Sequence, residues 1–275
     1  MDYKSAEYDG KDLRLINIKY FDPEQTLVCG QCFRWAVSNG IYSGIALGKR
    51  LDLFLEGNDL VFKNTSPDEF ESLWKKYFDL ERSYDKLHQF FAKDKILKEA
   101  LAFSQGLRLV QQEPWETLIT FILSQNTNIP RITGMISRLC EGFGNPLPDR
   151  GFSFPSPQTL TPLSPEDLAP VRCGYRAQYI IDAAKQVTDG ATDLVLLRAM
   201  PAEKAFRELQ QLNGVGPKVA ECVLLYGYGR TDRFPLDVWI KRVMAEYYPT
   251  GFPKEFSSLA GIAQLFLFRY IRMKN

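Results

Sequence analysis

The chain has 275 residues, 45% of them hydrophobic and 24% charged, which is enough apolar material for a sizeable core and rules out wholesale disorder. Lys and Arg number 34 against 33 Asp and Glu, so the net charge of +1 excludes a histone-like electrostatic glue. It does not exclude DNA binding, because local charge matters more than the sum.

Five scattered cysteines, an odd number, do not fit a disulfide scaffold. The N-terminal MDYKSAEYDGKDLR has no apolar signal-peptide core, and no apolar run nears the ~18 residues that span a bilayer. A soluble, cytoplasmic protein without a membrane partner is expected, nucleoid-associated in a bacterium. Nothing points to oligomerisation, so a monomer is expected.

Strand composition comes first along the chain. Residues 13–21 and 33–37 read as strands, and Asn39-Gly40 is a type I′ hairpin signal. IYSGIAL, LDLFLEG and LVFKN follow at short spacing, separated by Gly48-Lys49-Arg50 and Gly57-Asn58-Asp59. Ser66 is a predicted N-cap, with Pro67 in the first turn of a helix over residues 68–78.

Helical spacing then takes over. SYDKLHQFFAKDKILKEALAF reads as one helix or two; PWETLITFILSQ and IPRITGMISRLCEGF repeat apolar residues at three and four. After a Pro-rich connector at 146–170 come YRAQYIIDAAKQV, PAEKAFRELQQL, PKVAECVLLYGY, LDVWIKRVMAEYY and SSLAGIAQLFLFRYIRM. The predicted fold class is α+β, with a small N-terminal antiparallel β-sheet domain at 1–85 and an all-helical domain at 86–275.

The chemistry concentrates in LQQLNGVGPKVAECVLLYGYG and FPLDVWIKRV. Gly214 and Gly216 allow a tight hairpin between two helices and leave backbone N–H groups unshielded, so the turn can hold a phosphate. A plain helix-helix turn is the alternative. Lys218 follows at the start of the next helix, where the dipole disfavours a cation and desolvation would favour a neutral, nucleophilic amine. An exposed lysine touching phosphate is the other reading. Asp237, nineteen residues on, opens a helix as an N-cap, which also fixes an ionised carboxylate in place.

LNGVGPKVAECVLLYGYGRTDRFPLDVWI resembles the helix-hairpin-helix DNA glycosylase superfamily, with the lysine and aspartate of its bifunctional members and the hairpin at about 202–228. Within that superfamily the chain is similar to the 8-oxoguanine DNA glycosylase family. The likeness extends through CGQCFRW, FILSQNTNIPRITGMISRLCEGFG, CGYRAQYI and AGIAQLFLF.

The resemblance implies an enzyme that flips an oxidised guanine out of double-stranded DNA, excises it and nicks the strand. Lys218 would attack the sugar and Asp237 would stabilise the developing positive charge. Cys222 and Phe268 would cover the two faces of the base, and Gln264 would bond its Watson–Crick edge. The Gly30 carbonyl would accept the N7–H that guanine lacks. Asn126, Arg131 and Arg176 would hold the orphaned cytosine, Tyr175 would wedge the stack, and Gly214 and Gly216 would grip phosphate. No cofactor is needed for this chemistry, although the carbonyls of Gln210, Leu212 and Val215 match a structural cation site.

Some positions depart from the family's pattern. Trp239 stands where many members place a phosphate-touching histidine, Ile271 where they place its partner aspartate, and Thr127 where eukaryotic members have asparagine. His88 reads as structural. Cys29-x-x-Cys32 lacks a second pair, so neither zinc nor an iron–sulfur cluster is expected. An alkylpurine glycosylase of the same fold, against which Lys218 counts, and a non-enzymatic DNA-binding module stay open.

Overall fold

The computed structural model describes residues 1–274. Strands β1 (Ser5–Tyr8), β2 (Leu13–Ile16), β3 (Trp35–Ser38), β4 (Ile41–Ala46), β5 (Lys49–Glu56) and β6 (Asp59–Phe62) form one sheet in the order β1-β2-β6-β5-β4-β3. The Asn39-Gly40 hairpin joins β3 to β4 with φ of 51° and 76°, the doubly positive backbone of a type I′ turn. The strand expected over 13–21 ends at Ile16, because Asn17 turns the chain at φ 52°. The acidic N-terminus, not predicted as strand, supplies β1 by pairing Ser5 opposite Ile16.

Ser66 caps the following helix, its hydroxyl accepting from Glu69 N at 3.2 Å with Pro67 in the first turn. The helix runs over 67–77 through a π-helical stretch at Phe70–Trp74. It buries Phe70, Trp74 and Tyr77, and Phe70 and Phe78 meet Phe62 of the sheet edge-on at 5.4 and 5.7 Å. The stretch from 84 to 103 is two helices, Tyr84–Phe91 and Lys95–Phe103, because Asp94 starts the second by accepting from Leu97 N at 2.8 Å.

The compact units do not follow the expected split at 85/86. One comprises residues 1–44, 51–111 and the chain from 231 onward; the other comprises 45–50 and 112–230. In the first, the helices that follow the sheet need an apolar partner and find it in the returning chain. Phe256 packs edge-on against Phe90 and Phe91 at 5.1 and 5.7 Å. Tyr270 Oη donates to Glu99 at 2.7 Å and Tyr248 Oη to Asp94 at 2.8 Å. Sequence periodicity reports that a helix face is apolar, not which distant segment covers it.

The second unit is helical. Its Pro114–Leu123 helix is buried at every residue from Thr117 to Leu123 and packs against Ile129–Phe143, Arg176–Thr188 and Pro217–Cys222. Ala202–Leu209 packs on Pro217–Cys222 in turn. Among the described residues no helix is long and apolar enough to cross a membrane.

His88 lies in the first unit between Tyr20, at 4.6 Å, and the edge of Phe266, at 5.6 Å, with Nε2 buried and unpartnered among the described residues. Burial lowers its imidazole from 6.5 to about 4, against the pull of Asp2 and Asp85 and helped by Arg108. Because the unfolded chain takes up the proton more readily, this stabilisation is complete above pH 6.5 and is lost as pH falls toward 4. His88→Phe should remove roughly 1–3 kcal/mol of that slope. Urea midpoints of both proteins at pH 7 and pH 4.5 measure it, and parallel curves would overturn it.

Candidate functional site

The second unit presents the hairpin and the lysine. After the Ala202–Leu209 helix the chain turns, with Val215 N donating to Leu212 O at 3.0 Å, and Pro217 opens the next helix. Gly214 is obligatory: φ is 79°, and a Cβ there would stand 2.4 Å from the Tyr179 ring. Gly216 faces open space, so its lack of a side chain leaves the turn's backbone accessible rather than relieving a clash. Asn213 Nδ2 donates to Asp182 at 3.0 Å and moors the turn to the Arg176–Thr188 helix.

Lys218 is the second residue of the Pro217–Cys222 helix and is half-buried. Its Nζ lies 3.4 Å from Ser124 Oγ and 4.9 Å above the Phe121 ring, which stacks on Tyr226 at 5.3 Å and 9°. No carboxylate of the same unit pairs with it, so the amine sits on an aromatic floor beside one hydroxyl. Cys222, one turn on, is buried at 3% exposure.

Asn126 is exposed, in the left-handed region at φ 47°. Asn128 caps the Ile129–Phe143 helix by accepting from Arg131 N at 3.1 Å, and the Arg131 residue is exposed. Tyr175 projects at 56% exposure, edge-on to Tyr179 at 5.9 Å, with the Arg176 guanidinium 4.7 Å over its ring. Arg176 differs from the open fork expected of a base reader. It is buried, and its donors go to the Gln125, Cys173 and Asn126 carbonyls, with Nε–Gln125 O at 3.1 Å and Nη1–Cys173 O at 3.1 Å. Here it anchors the loop that carries Asn126.

In the first unit, Gly30 adopts φ 100° beside Gln31, which is 1% exposed. The Gln31 amide donates to the Thr26 and Arg108 carbonyls, both at 2.7 Å, and accepts from Val110 N at 3.0 Å. Gln264, 4% exposed, donates to Pro235 O at 3.1 Å, while its Oε1 is buried without a partner among the described residues. Such an acceptor is costly unless a ligand donor meets it. Phe268 follows one turn on, with Arg272 over its ring at 5.2 Å and Arg272 Nη1 3.5 Å from Cys29 O, next to Gly30. Asp237 caps the Val238–Tyr247 helix, Oδ1 accepting from Ile240 N at 2.8 Å. Trp239 carries Arg242 over its ring at 4.8 Å, and Ile271 is buried.

Residues 14–118 match the 8-oxoguanine DNA glycosylase N-terminal domain, and residues 119–255 match the HhH-GPD superfamily of base excision DNA repair proteins. Together the two matches run from residue 14 to residue 255. The chain belongs to the 8-oxoguanine DNA glycosylase family. It is 32% identical to the Clostridium acetobutylicum 8-oxoguanine glycosylase/lyase solved with double-stranded DNA containing cytosine opposite 8-oxoG, at TM-score 0.94 over 100% of both chains. It is 40% identical to MBOgg1 in complex with a low-affinity DNA ligand, at TM-score 0.94 over 100% of this chain and 99% of that one. The N-glycosylase/DNA lyase of Saccharomyces cerevisiae is 37% identical over 66% of this chain, and the match spans 52% of the yeast protein.

Sequence reasoning missed Gln31, Gln125, Tyr179 and Asp182, all of which hold the family's positions in place. Only Gln31 and Gln125 carried a signal, as polar residues directly beside Gly30 and Asn126.

Proposed function

We propose that the chain is a bifunctional DNA glycosylase that removes 8-oxoguanine, preferentially opposite cytosine, and nicks the abasic strand through a Lys218 Schiff base. The observation that carries this reading is the half-buried Lys218 amine on its Phe121 floor, without a carboxylate of its own unit to hold it as a cation. In the reaction the neutral amine attacks C1′ as the bond from C1′ to the base breaks. The base departs with that electron pair and takes a proton. The amine's two protons end on the departed base and on O4′, which leaves C1′ with its bonding pair as the ring opens to the imine; loss of a C2′ proton then expels the 3′ phosphate. Asp237, its carboxylate oriented by the cap, stabilises the positive charge that builds on the sugar.

The base would lie between Cys222 and Phe268. Its N7–H would go to the Gly30 carbonyl, and a donor on its Watson–Crick edge to the orphaned Oε1 of Gln264. Guanine offers a lone pair at N7, so the same carbonyl would repel it. Asn126 and Arg131 would meet the cytosine, Arg176 would hold their loop, Tyr175 would fill the gap, and Gly214 and Gly216 would expose the hairpin amides to phosphate. The carbonyls of Gln210, Leu212 and Val215 would bind a structural cation without taking part in chemistry. The enzyme would act as a monomer on double-stranded DNA.

Single-turnover excision from duplexes carrying 8-oxoguanine opposite each of the four bases, with borohydride added to trap the imine, tests the reading. Fastest excision opposite cytosine and a covalent complex are expected. Equal rates opposite all four bases would overturn the cytosine preference, and excision of alkylpurines alone would overturn the lesion.

A further inference from the structure

We propose that Gln125 is a positioning residue that couples the phosphate-binding hairpin to the loop reading the opposite base, so that opposite-base discrimination depends on it. The inference rests on the proposed function. Gln125 sits between Ser124, which touches Lys218, and the exposed Asn126. Its side-chain Nε2 donates to two carbonyls at once, Ile122 O at 3.1 Å and Gly214 O at 2.9 Å. Its own backbone carbonyl accepts from both Nε and Nη2 of Arg176. One residue therefore ties three elements: the end of the buried Pro114–Leu123 helix, the hairpin, and the Arg176–Thr188 helix.

A parallel route closes the loop. Gly214 rests on the Tyr179 ring, Tyr179 on Tyr175, and the Tyr175 ring lies under the Arg176 guanidinium. Hairpin, wedge and reader loop form a ring of contacts whose only side-chain hydrogen bond to the hairpin glycine comes from Gln125 among the described residues. A shift of the hairpin as it takes up phosphate would move the Gly214 carbonyl, and with it the Asn126 loop. Asn126, held at φ 47°, has little freedom to compensate. The amide of Gln125 touches neither the lysine nor any reacting atom, so its influence on the reaction passes through this geometry.

Gln125→Met keeps length and volume but removes both donors. Excision opposite cytosine should change by less than about twofold, while the ratio of rates opposite cytosine and adenine falls about three- to tenfold, the scale of one neutral hydrogen bond. Gln125→Glu, which sets an acceptor against two carbonyls, should lower that ratio further. Amide exchange of the free proteins supplies a readout independent of activity: the Met variant should exchange faster in both 124–128 and 213–216. A fall of all rates by one factor, an unchanged ratio, or faster exchange in only one segment would overturn the coupling. A wild type that excises no 8-oxoguanine, with exchange in the variant rising in both segments, would sink the proposed function and support the mechanical coupling.

Discussion

Lys218→Gln should yield a protein that still binds 8-oxoguanine duplex within about tenfold of wild type but forms no borohydride-trapped complex, with excision down by about three orders of magnitude or more. Glutamine reaches nearly as far as lysine and can hydrogen-bond the Ser124 hydroxyl, so packing on Phe121 survives. What is lost is the amine lone pair that the half-buried Lys218 holds beside Ser124 and over Phe121. The amide nitrogen delocalises its pair into the carbonyl and does not attack a sugar carbon. Glutamine brings no charge to the first helical turn, where the dipole disfavours a cation, so stability should hold or rise slightly. Trapping that persists in the variant would place the nucleophile elsewhere. Loss of binding with loss of trapping would reduce Lys218 to a phosphate contact.

Much of this arrangement is legible in the amino-acid order, because its signals are local. Asn39-Gly40 demands a hairpin, Ser66-Pro67 starts a helix, and Gly214-Val215-Gly216-Pro217-Lys218 sets a turn and a lysine in consecutive positions. Asp237 reads as a cap because a carboxylate three residues before an unsatisfied amide satisfies it, as its bond to Ile240 N shows. Contacts between distant segments leave no such mark. The bonds that Arg176 makes to the Gln125 and Cys173 carbonyls, 51 and 3 residues back in the chain, are an example. The membership of the C-terminal helices in the sheet-bearing unit depends on Phe256, Tyr248 and Tyr270 meeting partners about 170 residues away or nearly so, which no period reveals.

The same limit hides the residue with the largest expected effect on stability. Arg108 sits in GLRLVQQ, between two leucines, where no neighbouring residue marks its partners. It is fully buried, its guanidinium 3.9 Å over the Tyr84 ring. Nη1 pairs with Asp2 at 3.0 Å and reaches Tyr20 O at 3.3 Å. Nε donates to Phe78 O at 3.2 Å, and Nη2 to Asp79 O at 2.7 Å and Arg82 O at 2.9 Å. Asp2 completes the cluster by accepting from Tyr84 N at 2.7 Å. A single planar cation thus closes the N-terminus, the 78–82 turn and the start of the Tyr84–Phe91 helix around itself.

Arg108→Met fills much of the volume but leaves the buried Asp2 carboxylate and several carbonyls without their donor, and should destabilise the first unit by about 3–5 kcal/mol. Asp2→Asn keeps an acceptor for Tyr84 N and should cost about 1–2 kcal/mol. Denaturant midpoints of the three proteins measure both, and a loss under about 1 kcal/mol for Arg108→Met would show that the cluster is dispensable. The proposed lesion contact at Gly30 supplies the control that separates stability from chemistry. Gln31 holds the Gly30 loop through the backbone carbonyl of Arg108, not its side chain. At a temperature where Arg108→Met is still folded, its discrimination between 8-oxoguanine and guanine should therefore match wild type. A selective loss of that discrimination would mean that the guanidinium shapes the pocket as well as the core.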